Sequence, residues 1–148
     1  MFSRTTTLET PVAIRRTALD LLARREHSHA ELLRKLRQRG AAEDMAEIEL
    51  ERLQNDGLLS DERFCEAYVH YRSQRGYGPQ RLREELRQRG VAESLIEQEL
   101  HSGERDWSDL ARAAFAKRFP EGPATDIKER ARQQRFMQYR GFAGVFQD

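Results

Sequence analysis

Apolar residues fall along this chain in bursts with helical spacing. Ile14, Ala18, Leu21 and Leu22 recur at i, i+4, i+7 and i+8, with Arg25 next on the same face, which predicts one helix. Ser28 and Glu31 form the capping-box pair that opens a second, through Leu32 and Leu36. Gly40 can take the left-handed conformation that ends it. A third helix is expected over roughly 43–55, with Met45, Ile48 and Leu53 inward, ending at Asn55-Asp56-Gly57. The next starts at Ser60 or Asp61, places Phe64, Tyr68 and Tyr71 on one face and stops at Gly76. Pro79 suits the first turn of another, where its missing N–H costs nothing, and Gly90 closes it. A helix from about 92 to 101 follows, through Leu95, Ile96 and Leu100. Trp107, Leu110, Ala111, Ala114 and Phe115 form a later stripe, broken by "FPEGP" at 119–123. The run "DIKERARQQRFMQYRG" at 126–141 gives the last helix. No segment shows useful strand alternation, so the fold is expected to be all-α. Helices of this length are marginal alone and must stabilise one another by packing.

The bursts repeat. At a shift of 50, Leu32 falls on Leu82, Leu36 on Leu86, and "LRQRG" at 36–40 on "LRQRG" at 86–90. Ile14, Ala18 and Leu21 fall on Phe64, Tyr68 and Tyr71, while Met45 and Ala46 fall on Leu95 and Ile96. At a shift of 51, Met137, Arg140 and Gly141 answer Leu86, Arg89 and Gly90. Tandem three-helix repeats are therefore expected, stacked as an elongated, curved array. The division is a frayed tail at 1–10, then repeats at 11–56, 57–103 and 104–148. The ending "FAGVFQD" is too short for a third helix, so the third repeat is expected to lack most of it.

Charge adds a second pattern. The 148 residues carry a formal net charge of only +1, yet 34% of them are charged. Arginine, the planar cation suited to bidentate phosphate or carboxylate contact, supplies 23 of the 26 basic residues. The middle helices are basic: Arg34, Lys35, Arg37 and Arg39, then Arg81, Arg83, Arg87 and Arg89, then Lys128, Arg130, Arg132, Arg135 and Arg140. The third helices are acidic: Glu43, Asp44, Glu47, Glu49 and Glu51, then Glu93, Glu97 and Glu99. Two readings follow. The basic helices are solvated faces with weak i, i+4 pairs such as Glu31–Lys35 and Glu85–Arg89. Alternatively they align as a track for a phosphate backbone, in which case affinity falls steeply with salt.

Other chemistry finds little support. The one cysteine, Cys65, excludes an intrachain disulfide and reads as a packing residue. Gly76-x-Gly78 follows a helix instead of a strand and has Arg81 where a third glycine belongs, so it is no dinucleotide loop. His27 and His29 are too close to share a helical face, and His70 and His101 are isolated, so neither a metal nor another cofactor is expected. No paired acids on an apolar face suggest general acid–base work, and no catalytic residue is assigned. Tyr77 either stacks on a base or partner, or packs against the following helix. No apolar run approaches a membrane span or a signal peptide, so a soluble, cytoplasmic monomer is expected.

The stretch "GLLSDERFCEAYVHYRSQRGYGPQRLREELRQRGV" at 57–91 resembles the central motif of the RecX family, bacterial modulators of the RecA recombinase. Its elements are Gly57-Leu58-Leu59, Asp61 with Arg63-Phe64, Arg72, Gly76-Tyr77-Gly78-Pro79, and Leu82 through Leu86 to Gly90. "REHSHAELLRKLRQRG" at 25–40 is similar to that family's first repeat and "RFMQYRGF" at 135–142 to its third. The resemblance implies a non-enzymatic protein that binds RecA and its filaments on single-stranded DNA. It would lie in the filament groove and suppress ATP hydrolysis, strand exchange and co-protease activity. Direct DNA contact is a further expectation. The candidate contact residues are Arg72, Arg75, Tyr77, Arg81, Arg83, Arg87 and Arg89 around a glycine-flexed hinge. Next come Arg34, Lys35, Arg37 and Arg39 of the first repeat, and Arg132, Arg135 and Arg140 of the third. The residues alone leave two rivals open: a helical DNA-binding module acting without RecA, and a helical-repeat adaptor for another protein.

Overall fold

The expected helices form. A computed structural model describes residues 8–103 and 105–144. Its elements are α1 (Pro11–Arg24), α2 (His29–Gln38), α3 (Glu43–Asn55), α4 (Asp61–Gln74), α5 (Pro79–Gln88), α6 (Glu93–Leu100), α7 (Trp107–Arg118) and α8 (Ile127–Tyr139). Among the described residues there is no strand.

Their boundaries follow local chemistry. Thr10 Oγ1 accepts the Ala13 amide ahead of Pro11 at the start of α1. Ser28 and Glu31 form the predicted capping box, with Ser28 Oγ accepting from Glu31 N at 3.0 Å and Glu31 Oε1 from Ser28 N at 3.1 Å. Ser60 Oγ caps α4 through Arg63 N, which frees Asp61 to accept the His29 amide at 2.8 Å. Asp106 and Asp126 cap α7 and α8. Each cap satisfies an amide with no intrahelical partner, typically for about 1 kcal/mol.

The chain divides into two compact units, residues 1–65 with 89–91, and residues 66–88 with 92–148. In the first, Ile14, Ala18 and Leu21 of α1 meet Leu32 and Leu36 of α2 and Ala46, Leu50 and Leu53 of α3. Of the expected tail, residues 1–7 lie outside the described residues. Leu8 is only 7% exposed and joins this core. In the second unit Leu82 and Leu86 of α5 and Ile96 and Leu100 of α6 are buried, and α5 packs on α6. Ala111, Phe115, Phe119, Met137 and Phe142 form a separate cluster there.

Two expected stripes were misplaced. On α3 the buried set is Ala46, Glu49, Leu50 and Leu53, with Met45 half-buried and Ile48 52% exposed. On α4 Phe64, Cys65, Val69 and Ser73 are buried while Tyr71 is 67% exposed. Ile48 and Tyr71 stand two residues beyond Ala46 and Val69, about 200° round the helix and thus on the opposite face. Tyr68 is half-buried because its hydroxyl has a carboxylate to reach, at Glu85.

Candidate functional site

The basic middle helices do not present their arginines as one free stripe. In each of the first two repeats they turn toward the acidic third helix. Arg37 pairs with Glu43 at 3.4 Å, and its counterpart Arg87 pairs with Glu93 at 2.9 Å. Arg83 makes two bonds to Glu97, one of 3.1 Å from Nη2 to Oε1. These hydrogen bonds hold the Glu97 and Glu93 carboxyls below the usual carboxylate range. In the first two repeats part of the basic block is thus paired with the acidic helix of the same repeat.

Glu85 of α5 anchors a tighter group. It accepts from Tyr68 Oη at 2.7 Å, Arg72 Nε and Nη2 at 3.1 and 2.8 Å, and Arg81 Nε at 3.0 Å. Burial pushes this carboxyl up, but the bonds from Arg72, Tyr68 and Arg81 together outweigh it and hold it below its ordinary value. Around it, three guanidinium groups face the ring of Tyr77: Arg72 at 4.0 Å, Arg81 at 4.8 Å and Arg140 at 4.7 Å. Tyr77 is therefore a half-buried stacking centre for arginines, nearer the packing reading than the base-stacking one.

The segment 76–81 is clasped, so the expected flexible hinge is corrected as well. Gly78 N donates to Arg140 O at 2.6 Å and Gln80 N to Gly141 O at 3.2 Å. Gln80 Nε2 donates to Ala143 O, Arg81 Nη1 to Tyr139 O, and Arg140 Nη1 back to Arg75 O and Gly76 O. A Cβ on Gly78 would stand 2.5 Å from Gly141 O, and one on Gly141 2.6 Å from Arg81 N. Only glycine lets two backbones come this close.

A second clasp lies in the first unit. Ser28 Oγ donates to Arg89 O at 2.7 Å, and Arg89 Nε lies 3.6 Å from Glu31. A Cβ on Gly90 would reach within 2.4 Å of Ala30 Cβ. Beside it His27 is 2% exposed. Its Nδ1 lies 3.1 Å from Arg25 O and its Nε2 3.0 Å from Lys35 Nζ. Lys35 can only donate, so the ring is neutral, with Nδ1 donating and Nε2 accepting. Burial pushes both His27 and Lys35 below their ordinary values, which agrees.

Family models for the three RecX three-helix domains match this chain consecutively, the first over residues 15–53, the second over 60–100 and the third over 104–144. The chain belongs to the RecX family. It is 53% identical over 135 residues to the regulatory protein RecX of Pseudomonas putida, covering 91% of this chain and 86% of that one. The corresponding protein of Pseudomonas entomophila is 50% identical, covering 92% and 88%. The crystal structure of RecX from Lactobacillus salivarius superposes with a TM-score of 0.71 at 18% identity, covering 89% of this chain and 88% of that one. A second crystal structure, of a regulatory protein RecX, gives 0.72 at 22% identity, covering 90% and 69%. These two share the fold. The all-α, three-helix-repeat architecture is thereby that of RecX, a family of regulatory proteins. No helix among the described residues is long and apolar enough to cross a membrane.

Placed on this RecX chain, the candidate contact residues fall into two classes. Arg72, Arg81, Arg83, Arg87, Arg89, Arg37 and Arg132 have carboxylate partners, the last in Glu129. Lys35 is tied to His27. Arg34, Arg39, Arg75 and Arg135 are exposed, and Arg140 is half-buried. Among the described residues none of these five has a carboxylate within ion-pairing distance. Sequence reasoning named Ser28 only as a cap and Glu85 only as an i, i+4 partner of Arg89, giving neither a place in the site, and passed over Tyr139. Glu85 could have been found as the acid that lies i+4 from Arg81 and one turn ahead of Arg89.

Proposed function

We propose that this RecX-family chain binds the RecA recombinase and its filaments on single-stranded DNA, lowering their ATPase, strand-exchange and co-protease activities. The observation that carries the reading is membership: all three RecX domain models match in order, and the regulatory relatives are about half identical over nine-tenths of the chain. The charge distribution supports a nucleoprotein target. Among the described residues Arg34, Arg39, Arg75, Arg135 and Arg140 are not neutralised by internal acids, and the contact falls first to them. Arg83 and Arg87, already held by Glu97 and Glu93, contribute less.

The test is a DNA-stimulated RecA ATPase assay with and without the protein, run beside direct binding to single-stranded DNA. The expected result is suppressed hydrolysis, weakened by a combined Glu substitution at Arg34, Arg39, Arg75 and Arg135. If four phosphates are engaged, log affinity for the DNA falls with log salt at a slope of about −3. Salt-sensitive DNA binding with unchanged ATPase would mean a DNA-binding module independent of RecA. Neither effect would mean an adaptor for another protein.

A further inference from the structure

We propose that Tyr139, backed by Arg81, is a stacking platform for an unpaired base of single-stranded nucleic acid, with Arg140 and Arg75 attracting the flanking phosphates. The inference rests on the nucleic-acid part of the reading above and adds a residue and a mode of contact to it.

Tyr139 is the last residue of α8 and is 67% exposed. The Arg81 guanidinium lies 4.7 Å from the centre of its ring. Arg81 is itself fixed by Glu85 and by the carbonyl of Tyr139, so the aromatic surface is held in place before any ligand arrives. A preorganised ring loses little freedom when a base stacks on it. The surroundings suit an anion. Arg72, Arg81 and Arg140 converge on Tyr77, and Glu85 is bonded to the first two. Arg140 Nη1 donates to the carbonyls of Arg75 and Gly76, and among the described residues no carboxylate pairs with it. The C-terminal end of α8 would ordinarily repel phosphate. Here the carbonyls of Tyr139, Arg140 and Gly141 accept from Arg81, Gly78 and Gln80, so that end is masked. An open aromatic face beside excess guanidinium charge is the combination that binds single strands without sequence preference. A duplex offers no free base face, and an acidic peptide has no use for the ring.

The experiment measures fluorescence anisotropy of a labelled oligo-dT, and of an abasic oligonucleotide of equal length, with the full chain and no RecA. Tyr139→Ala is expected to weaken oligo-dT binding about tenfold, while abasic binding stays at the wild-type level. Tyr139→Phe, which keeps the ring, binds oligo-dT as wild type does. Tyr71→Ala removes an equally exposed tyrosine that has no guanidinium over it among the described residues, and leaves binding unchanged. Wild-type oligo-dT affinity in Tyr139→Ala, equal losses in Tyr71→Ala and Tyr139→Ala, or no oligo-dT binding by the wild type each overturns the proposal. So does a loss by Tyr139→Ala confined to RecA without DNA, since the ring would then face protein. Wild-type suppression of RecA ATPase, measured in parallel, reports on the function separately: it can stand when the platform fails.

Discussion

The two clasps share one backbone design and differ in what they do with charge. Each seats the Arg-Gly that ends one repeat's middle helix against the start of the preceding repeat's middle helix. Arg89-Gly90 meets Ser28, Ala30 and Glu31, and Arg140-Gly141 meets Gly78, Gln80 and Arg81. In both, the arginine carbonyl is an acceptor and the glycine leaves no room for a Cβ. In the first, Ser28 donates through its side chain and Glu31 answers the arginine charge. In the second, Gly78 donates through its backbone, and Arg140 is met by carbonyls and by Tyr77, which occupies the position of His27 at the shift of 50. One geometry thus yields a neutralised joint and an electropositive one. The twin "LRQRG" also gains an explanation: the second copy docks through Arg89 and Gly90, while Arg39 and Gly40 of the first remain exposed.

The largest expected effect comes from filling the clasps. Gly90→Ala and Gly141→Ala add a Cβ where φ is +79° and +92° and the nearest atoms lie at 2.4 and 2.6 Å. Each should destabilise by about 3 kcal/mol, summing left-handed strain and overpacking. Gly57→Ala, at φ +77° with nothing within 4 Å of its Cβ, should cost the strain alone, about 1–2 kcal/mol. Urea denaturation checks the order, and equal losses at all three would break the parallel between the joints. Next is Ser28, which both caps α2 and donates to Arg89 O. Ser28→Ala should cost about 2 kcal/mol, whereas Ser28→Gly, imitating Gly78, keeps most of the cap and should cost about 1 kcal/mol. If Ser28→Gly loses only about 0.3 kcal/mol, the cap's share, the bond to Arg89 contributes nothing. Smallest at neutral pH is His27. Its folded pKa is lowered, so the unfolded chain takes up the proton first as pH falls. Its stability contribution is complete above the ordinary histidine value of 6.5 and is lost as pH falls through the lower folded value. Denaturation midpoints at a series of pH values should show this slope in the wild type and a weaker one in His27→Gln.

Much of the fold was legible because it is written locally. The Ser28–Glu31 box, Pro79 at the head of α5 and the glycines after α2, α5 and α8 act within one helical turn, and the structure uses each as expected. Face assignment was less secure. Ile48 and Tyr71 looked inward by composition, yet Ala46-Leu50-Leu53 and Cys65-Val69-Ser73 were the better-spaced stripes. The candidate site was legible as a set of cations and illegible as an arrangement. Nothing in the order of residues says that Arg83 ends on Glu97 while Arg75, among the described residues, ends on no carboxylate, or that Tyr139 stays open beside Arg81.

The sequence by itself determined the helices, their ends, the threefold repetition and the family, since each depends on neighbours a few residues apart or on a repeated register. Only the tertiary structure decided which arginines are spent on internal acids and which, among the described residues, are not. Guanidinium and carboxylate groups interact over a few ångströms of space, and those distances are set by how helices pack, not by how far apart residues stand along the chain.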